Sequence, residues 1–383
     1  MIDYASHASR ERVDVFGVVR RLDWLLLSAV AALVAYGLWA VAGITRYDVA
    51  GNEDYYVVRQ ALAAGLGFAG FLVALAIDPD RYRRAQKAIY GLTLLLMLLV
   101  FPLAETTRGS KRWIELGPFQ FQPSEFGKLL FVLALAGFLA DRIRRLSQPQ
   151  VILQAVGLAL IPIALVFEQP DLGTALVYVA ALAGCLFVAG VRWSYLAALA
   201  TASALVAVGV VLFLLEPYQI ERLTGFADPD SDPSGATYNV TQSITAVGAG
   251  GLDGRGVDAA TQTRLDYLPE HATDFVFASL AEQRGFVGAS LLLGLYLLVV
   301  WRGLRVITVA RDAFGAIVSA GIVMAFLFQV FVNVGMTMGI APVTGIPLPF
   351  VTVGGSSMAA NLIAIGVLQS IHARGNLGRR GSR

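Results

Sequence analysis

Acidic side chains that could move a proton are concentrated in one stretch, residues 261–277, with the sequence TQTRLDYLPEHATDFVF. The acids and the histidine in it are Asp266, Glu270, His271 and Asp274. A carboxylate beside an apolar segment is partly desolvated, which raises its pKa and suits it to proton transfer. If the stretch is helical, Glu270 and Asp274 share one face. The alternative is that Thr273 or Asp274 only caps the helix that follows, and the residues alone favour neither.

Cationic side chains are concentrated in a second stretch, residues 106–130, with the sequence TTRGSKRWIELGPFQFQPSEFGKLL. Three cations, Arg108, Lys111 and Arg112, directly precede Trp113. Cations beside an aromatic ring suit a phosphate or sugar-phosphate group. The alternative is a tryptophan anchor at a membrane interface, with basic side chains that extend to water.

The same stretch opens a helix that carries two opposite charges. Pro123 at the first helical position and Glu125 at the third are typical of a helix start. Glu125 and Lys128 are three residues apart and lie on one face of that helix. Charges inside an apolar helix are costly, which predicts a function for the two residues, with mutual pairing as the alternative.

A third stretch, residues 333–361, has the sequence NVGMTMGIAPVTGIPLPFVTVGGSSMAAN. Three prolines between residues 342 and 349 exclude a continuous helix there. Ser356 and Ser357 follow two glycines at the start of the next helix, an end that attracts anions. Simple serine capping explains the same pattern equally well. At residues 168–171, Glu-Gln-Pro-Asp predicts a tight turn, with a further acidic site as the alternative.

Composition identifies the surroundings of these residues. Of 383 residues 57% are hydrophobic and 15% are charged, with a mean hydropathy of +0.67. A soluble domain has about 25% charged residues, so the excess apolar surface predicts a polytopic membrane protein. The net charge of +2 excludes a strongly basic nucleic-acid binder. A single cysteine, Cys185, and three scattered histidines exclude an internal disulfide and a Cys/His zinc site.

Hydropathy predicts an all-α membrane protein with ten transmembrane helices, each of roughly 20 mostly apolar residues. The predicted spans are about 23–43, 57–77, 87–104, 124–140, 151–167, 172–190, 193–215, 285–303, 313–339 and 355–372. Residues 1–383 form a single domain, with an N-terminal arm 1–22, a large loop 216–284 between spans seven and eight, and a tail 373–383. Most basic residues lie in alternate connections, which places both termini in the cytoplasm and the large loop outside.

Two classes of function fit an outer face with a carboxylate loop, a cationic loop and a Gly-Ser helix start. Either the protein is an enzyme acting on a lipid-linked phosphorylated substrate, or it transports such a lipid. An enzyme needs its carboxylate at the outer surface, whereas a carrier needs charges through the middle of the membrane. The acids are concentrated in the predicted outer loops, which favours the enzyme.

Three stretches closely resemble the SEDS family of shape, elongation, division and sporulation proteins. They are LPEHATDFVFASLAEQRGFVG, NVGMTMGIAPVTGIPLPFVTVGGSS and GSKRWIELGPFQFQPSEFGK. Residues 261–263 and 336–339 are more similar to the elongation branch of the family, RodA, than to its division branch, FtsW. The resemblance implies a peptidoglycan glycosyltransferase in the bacterial cytoplasmic membrane. It would polymerise lipid II, an undecaprenyl-pyrophosphate-linked disaccharide-pentapeptide, on the outer face.

The resemblance also implies partners and roles for residues. The partners are a class B penicillin-binding protein with transpeptidase activity and other membrane proteins of the elongation complex. Asp274 matches the essential aspartate of the family and is expected to be the catalytic base of an inverting transfer. The expected substrate-binding residues are Lys111, Arg112, Trp113, Glu125, Lys128, Gln262, Thr273, Ser356 and Ser357. A divalent cation, Mg²⁺ or Mn²⁺, is a further candidate to compensate the leaving diphosphate, with no ligand set fixed.

The sequence departs from the family pattern at two positions. The family has His-Thr-Asp where this chain has Ala272-Thr273-Asp274, so His271 is displaced by one position. Val353 stands where the family has a tyrosine before Gly-Gly-Ser-Ser. Neither departure changes Asp274.

Overall fold

The computed structural model describes residues 20–104, 112–116, 119–213 and 237–380. The helices in this part of the chain are α1 (Trp24–Ile44), α2 (Tyr55–Ala76), α3 (Pro79–Arg84), α4 (Gln86–Leu103), α5 (Pro123–Asp141), α6 (Pro149–Phe167), α7 (Leu172–Val188), α8 (Trp193–Phe213), α9 (Tyr238–Ala249), α10 (Gly256–Ala259), α11 (Thr261–Arg264), α12 (Val276–Val309), α13 (Ala313–Thr337) and α14 (Gly355–Arg380). A 3₁₀ turn, Ile143–Arg145, follows α5.

Each of the ten predicted spans overlaps one long helix of this bundle. Seven of the helices are long and apolar enough to cross a membrane, namely α1, α2, α4, α5, α6, α12 and α13. Helix α7 and residues 193–206 of α8 are apolar but shorter. The protein is therefore a mostly helical, multi-pass membrane protein.

The expectation of an all-α fold misses a small antiparallel hairpin. Strands β1 (Ile114–Leu116) and β2 (Phe119–Phe121) pair with Glu115 opposite Gln120. Both strands alternate apolar and polar residues, the two-residue period of a strand. The hairpin is attached to the start of α14, because Ser356 Oγ donates to Gln120 O (2.9 Å) and accepts from Gln122 N (2.9 Å).

The large loop also differs from its predicted limits, because its described part contains helices α9, α10 and α11. Helix α12 begins at Val276 rather than at residue 285, and it bends at Gly285, where φ is +65°. A side chain at Gly285 would collide with backbone atoms of Leu252 and Gly254. Only glycine combines this φ with such a close approach, so the bend forms where the predicted span begins. Residues 214–236 of the loop lie outside the described part.

The centre of the bundle is formed by α5 and α13, which are largely buried by their neighbours. Small residues bring α7 and α13 together, since Gly321 packs against the Cys185 sulfur and Gly184 packs against Ala320 O. Such contacts replace the hydrophobic driving force that lipid does not provide between helices. Cys185 is completely buried and serves packing.

Asp23 connects three helices at the end of the bundle where α1 begins. Its Oδ1 accepts from Leu26 N (3.0 Å) and caps α1, while Arg302 Nη2 of α12 donates to its Oδ2 (2.6 Å). Gln369 of α14 accepts from Asp23 N (2.9 Å) and donates to Asp23 O (3.0 Å). Because Asp23 is buried, these bonds satisfy a charge that would otherwise be costly.

Candidate active site

The segment that carries Asp274, residues 265–275, is not helical. Asp266 and Glu270 adopt the left-handed backbone conformation, with φ of +58° and +53°. Glu270 and Asp274 therefore do not share a helical face, and Thr273 Oγ1 instead donates to Glu270 Oε2 (2.8 Å). Helix α12 begins after Phe275, and no side chain of the described residues caps it, so neither Thr273 nor Asp274 is the cap.

The Asp274 segment is attached to the proline-containing segment, residues 338–354, which is non-helical as the three prolines predict. Three hydrogen bonds hold the Asp274 segment: Val353 N to Ala272 O (3.0 Å), Thr352 Oγ1 to Thr273 O (3.0 Å) and Asn333 Nδ2 to Asp274 O (3.0 Å). Asn333 Nδ2 also donates to Ile346 O (2.8 Å). Successive backbone carbonyls before and at Asp274 are therefore fixed by donors from other parts of the fold.

The Asp274 carboxylate is half-buried and lies beside Gly345. A Cβ built on Gly345 would be 3.6 Å from Asp274 Oδ2, and Gly345 has a φ of +71°. Because residue 345 is a glycine, no side chain of that residue packs against the Asp274 carboxylate. The backbone around the carboxylate is held by hydrogen bonds and the residue is partly exposed, as a general base requires.

Glu282 on α12 holds the TQT sequence next to this segment. It is completely buried, its Oε1 accepts from Gln262 N (2.8 Å), and its Oε2 accepts from Thr263 N (2.9 Å) and Thr263 Oγ1 (2.7 Å). The side-chain Oε1 of Gln262 is buried without a hydrogen-bond partner among the described residues. Sequence reasoning missed Glu282, although a single acid in an apolar helix is itself a signal.

His271 lies between two carboxylates. Asp266 belongs to the same segment, and Asp48 belongs to the α1–α2 connection. Its Nε2 lies 3.1 Å from Asp48 Oδ1, and its Nδ1 lies 3.3 Å from Asp266 Oδ1. Burial lowers the pKa of His271, but the hydrogen bond and charge of Asp48, with the charge of Asp266, outweigh burial and raise the pKa above its ordinary value. The displaced histidine therefore fixes the Asp274 segment to the α1–α2 connection.

We expect Asp48→Asn to move the alkaline loss of thermal stability to lower pH. A raised folded-state pKa contributes stability that is fully present below the ordinary value, about 6.5, and is lost as the pH rises through the raised value. Without the Asp48 charge the pKa of His271 falls, so this loss begins at lower pH. The measurement is Tm of the purified protein from about pH 5 to about pH 9.

Tyr47→Phe is the matched control for that experiment. It removes the bond from Tyr47 Oη to Asp258 Oδ1 (2.6 Å), which joins the same two parts of the chain without facing His271. We expect its stability to be lower at every pH with no change in the shape of the profile. A profile of Asp48→Asn that parallels the parent would contradict the His271 bridge.

The cationic stretch is only partly described, since Arg108 and Lys111 lie outside the described residues. Arg112 is bonded to the turn at residues 168–171, with Nε donating to Gln169 O (3.3 Å), Nη2 donating to Pro170 O, and Nη1 3.7 Å from Asp171 Oδ1. The predicted tight turn is present, and Asp171 caps α7 by accepting from Thr174 N (3.1 Å). Trp113 is half-buried beside Arg112.

The turn brings the cationic stretch to the same end of the bundle as Asp274. Gln122 Nε2 donates to Asp171 Oδ2 (3.2 Å), which joins the hairpin to the turn. At the start of α7, Gly173 packs against the carbonyl of Thr344, the neighbour of Gly345. The structure thus places Arg112 and Trp113 at the same end of the bundle as Thr273 and Asp274.

Glu125 and Lys128 form a buried ion pair inside the bundle. Lys128 Nζ lies 2.8 Å from Glu125 Oε1, and the side chains are 9% and 1% exposed for lysine and glutamate. Both line a mostly apolar cavity between α5, α12, α13 and α14 that also contains Gln329. Within the described residues, Glu125 Oε2, Gln329 Nε2 and Asn333 Oδ1 are buried without a hydrogen-bond partner. The mutual pairing is therefore present, and Glu125 Oε2 has no hydrogen-bond partner among the described residues.

Sequence reasoning gave Gln329 and Asn333 no role. Their signal was available, because two amides four residues apart in an otherwise apolar helix share one face and polar residues in membrane helices are costly. Asn333 joins the two parts of the site, since it lies in α13 and donates to Asp274 O (3.0 Å).

The two serines at the start of α14 have protein partners. Ser356 Oγ holds the hairpin, as described above, and Ser357 is buried with its Oγ accepting from Asn361 Nδ2 (3.2 Å). A groove between the hairpin, α2 and α14 is lined by Ser356, Gly354, Gly355 and Arg59. Substrate binding by the serines stays a prediction.

The fold and the site define a multi-pass helical membrane protein with a carboxylate-bearing segment held at one end. The chain belongs to the FtsW/RodA/SpoVE family of cell cycle proteins, whose family model matches residues 20–376. This confirms the resemblance to the SEDS family.

Similar proteins cover almost the whole chain. It is 36% identical over 350 residues to stage V sporulation protein E of Bacillus subtilis, covering 91% of this chain and 94% of that protein. It is 35% identical over 356 residues to the peptidoglycan glycosyltransferase MrdB of Escherichia coli, covering 92% and 93%.

A solved structure also contains a similar chain. It is a structure of a peptidoglycan synthase complex and concerns the structural coordination of polymerization and crosslinking. The matching chain has a TM-score of 0.79 and 33% identity, with 92% of this chain and 98% of that chain covered. The identities to the sporulation protein and to MrdB are nearly equal, so they do not separate the branches of the family.

Proposed function

We propose that this protein is a peptidoglycan glycosyltransferase that polymerises lipid II into β-1,4-linked glycan strands. The observation that carries the proposal is Asp274, a half-buried carboxylate whose backbone is fixed by the 338–354 segment and by Asn333. The activity named for MrdB supports it. The elongation role, rather than division, rests on the resemblance of residues 261–263 and 336–339 to the RodA branch.

The reaction follows from the position of one base. Asp274 accepts the proton of the acceptor sugar 4-hydroxyl as that oxygen attacks the anomeric carbon of the donor. The bond from that carbon to the diphosphate oxygen breaks, and undecaprenyl pyrophosphate leaves with the electron pair. Attack from the opposite face converts an α-linked donor into a β-linked product, which is the outcome of an inverting transfer.

The leaving diphosphate needs positive charge close to it. Arg112 and Lys128 are the described candidates, and each already contacts a carboxylate, of Asp171 and Glu125. Lys111 is a third candidate outside the described residues. We propose that the diphosphate competes with these carboxylates for the two cations, so that substrate binding weakens both internal ion pairs.

A bound Mg²⁺ or Mn²⁺ would find few protein ligands. Among the described residues, no three His, Cys, Asp or Glu side chains come together as a metal site. Asp274 alone is a poor cage for a cation that takes several oxygen ligands. A divalent cation would therefore depend on the diphosphate for most of its ligands.

The proposed topology has ten spans, both termini in the cytoplasm and Asp274 outside. It is supported by basic residues at the end of the bundle opposite Asp274, such as Arg144, Arg302 and Arg374, since cytoplasmic ends are rich in lysine and arginine. The proposed partners are a class B penicillin-binding protein and other membrane proteins of the elongation complex. The similar chain belongs to a synthase complex that couples polymerization to crosslinking, which supports the transpeptidase partner.

A second candidate function is translocation of lipid II. The buried Glu125–Lys128 pair, beside polar atoms without a partner in the described part of the chain, is the kind of intramembrane charge that carriers use. One experiment separates the two functions: purified protein with labelled lipid II in detergent, where there are no two sides to move between. We expect glycan product in detergent. If none forms even with the cognate transpeptidase, while vesicles show lipid translocation, the carrier is correct.

A further inference from the structure

A basic cleft lies at the end of the bundle opposite Asp274. It has a volume of about 970 Å³, at the upper end of the usual range for small-molecule sites. Its walls are the first turns of α4, the second half of α5, the Ile143–Arg145 turn and α6. Its lining includes four basic residues and two phenylalanines, namely Lys87, Arg142, Arg144, Arg145, Phe131 and Phe138.

The mouth of this cleft carries a net positive charge. Its acidic residue, Asp141, is already engaged by Arg83 Nη2 (2.8 Å) and by Gln86 Nε2 (2.6 Å). Within the described part of the chain, Lys87, Arg144 and Arg145 form no ion pair with a carboxylate, and all three are exposed. The cleft therefore offers cations whose charge no carboxylate of the described residues compensates.

Arg142 is oriented toward the apolar part of the cleft. Its guanidinium carbon lies 4.0 Å from the centroid of the Phe138 ring, and Nη1 donates to Phe138 O (3.3 Å). Stacking on an aromatic ring holds a guanidinium in place and leaves its other N–H groups able to bind an anion.

Below the cations, the cleft is apolar. On α5 its lining extends from Phe131 to Asp141, about 15 Å at 1.5 Å per residue, which is half of a hydrocarbon core of about 30 Å. Tyr90 Oη fixes α4 to α6 by donating to Leu158 O (2.9 Å). That carbonyl lacks its helical donor because Pro162 has no N–H. The two walls are thus held together at a defined distance.

We propose that this cleft binds one anionic glycerophospholipid of the cytoplasmic leaflet. The phosphate lies among Arg142, Arg144, Arg145 and Lys87, and an acyl chain follows the apolar wall toward Phe131. Basic pockets between membrane helices on the cytoplasmic side are suited to anionic headgroups. The proposal rests on the proposed orientation of the bundle and not on the role of Asp274. A failure of lipid binding in the cleft would therefore leave the proposed catalytic role of Asp274 intact, and the reverse also holds.

The experiment measures binding of phosphatidylglycerol and of phosphatidylcholine with the same acyl chains to the purified full-length protein by native mass spectrometry. We expect one phosphatidylglycerol to bind at least tenfold more tightly than phosphatidylcholine. Arg144→Gln with Arg145→Gln removes two exposed cations, each worth about fivefold in affinity near a charged group, so the preference should fall at least tenfold. Arg84→Gln with Arg305→Gln removes the same charge at the same end but outside the cleft and should leave the preference unchanged.

Ala134→Trp tests the apolar wall separately, with Tm as the check on folding. Filling the cleft should abolish tight binding of phosphatidylglycerol while leaving Arg144 and Arg145 in place. Equal affinities for the two lipids, or equal losses in the cleft variant and its control, would overturn the proposal. Tighter binding of undecaprenyl phosphate than of phosphatidylglycerol would also overturn it and would assign the cleft to the polyprenyl lipid.

Discussion

Asp274→Asn should reduce lipid II polymerisation by about 10²–10⁴-fold, the usual cost of losing a general base. An amide has nearly the same shape as a carboxylate but does not accept the proton. Asn333 bonds to the backbone oxygen of residue 274, and the substitution keeps that bond. We therefore expect Tm to stay within a few degrees of the parent, while polymerisation of labelled lipid II by the purified variant nearly disappears.

Asp253→Asn is the matched control for this variant. Asp253 is an exposed acid in the same large loop, so its substitution removes the same charge without touching the Asp274 segment. We expect the control to polymerise lipid II within about twofold of the parent, as surface substitutions usually have small effects. Near-parental activity of Asp274→Asn would remove Asp274 from the catalytic role.

Substitutions in the Glu125–Lys128 pair should give the second large effect. We expect them to change thermal stability and polymerisation activity in different ways. Lys128→Met leaves the Glu125 carboxylate buried without its 2.8 Å partner, which typically costs about 3–5 kcal/mol. Exchanging the two residues, Glu125→Lys with Lys128→Glu, restores an ion pair, because Coulomb attraction between the two charges is symmetric. We expect the exchanged protein to recover most of the lost Tm.

Activity should not recover in the exchanged protein. If the diphosphate takes Lys128 from Glu125, the exchange places a carboxylate where the anion binds, in surroundings with few compensating polar groups. Like-charge contact in a desolvated site costs several kcal/mol, which corresponds to a loss of at least 10³-fold. Polymerisation and Tm are measured on the same preparations. A charge-exchanged protein as active as the parent would show that the pair is purely structural.

Much of the helical framework could be predicted from hydropathy, because a span needs roughly 20 apolar residues whatever its neighbours are. Long helices occupy all ten predicted segments. The position of α12 could not be predicted from apolar content alone. Its first turns contain Glu282 and Gln283, polar residues that are buried by the α9–α11 part of the loop and by α1. The hairpin was missed because its strands have only three residues each.

The candidate site was predicted as separate stretches, and the structure shows how they are connected. Local patterns identified Asp274, Trp113 and the Glu125–Lys128 face. They could not identify the partners of these residues, because contacts such as His271–Asp48 and Asn333–Asp274 join positions far apart in the chain. Arg112 shows the same limit, since its pairing with the 168–171 turn depends on how α5 and α7 pack.

The most direct test of the central claim is the linkage of the glycan that the purified protein makes from labelled lipid II. The reaction is run with the cognate class B penicillin-binding protein present, and the product is digested with a muramidase that cleaves only β-1,4 bonds. An inverting transfer at Asp274 predicts a polymer that this enzyme degrades completely to monomeric and crosslinked disaccharide units, and about 10²–10⁴-fold less polymer from Asp274→Asn. A polymer that resists the muramidase, or equal product from both proteins, would contradict the mechanism.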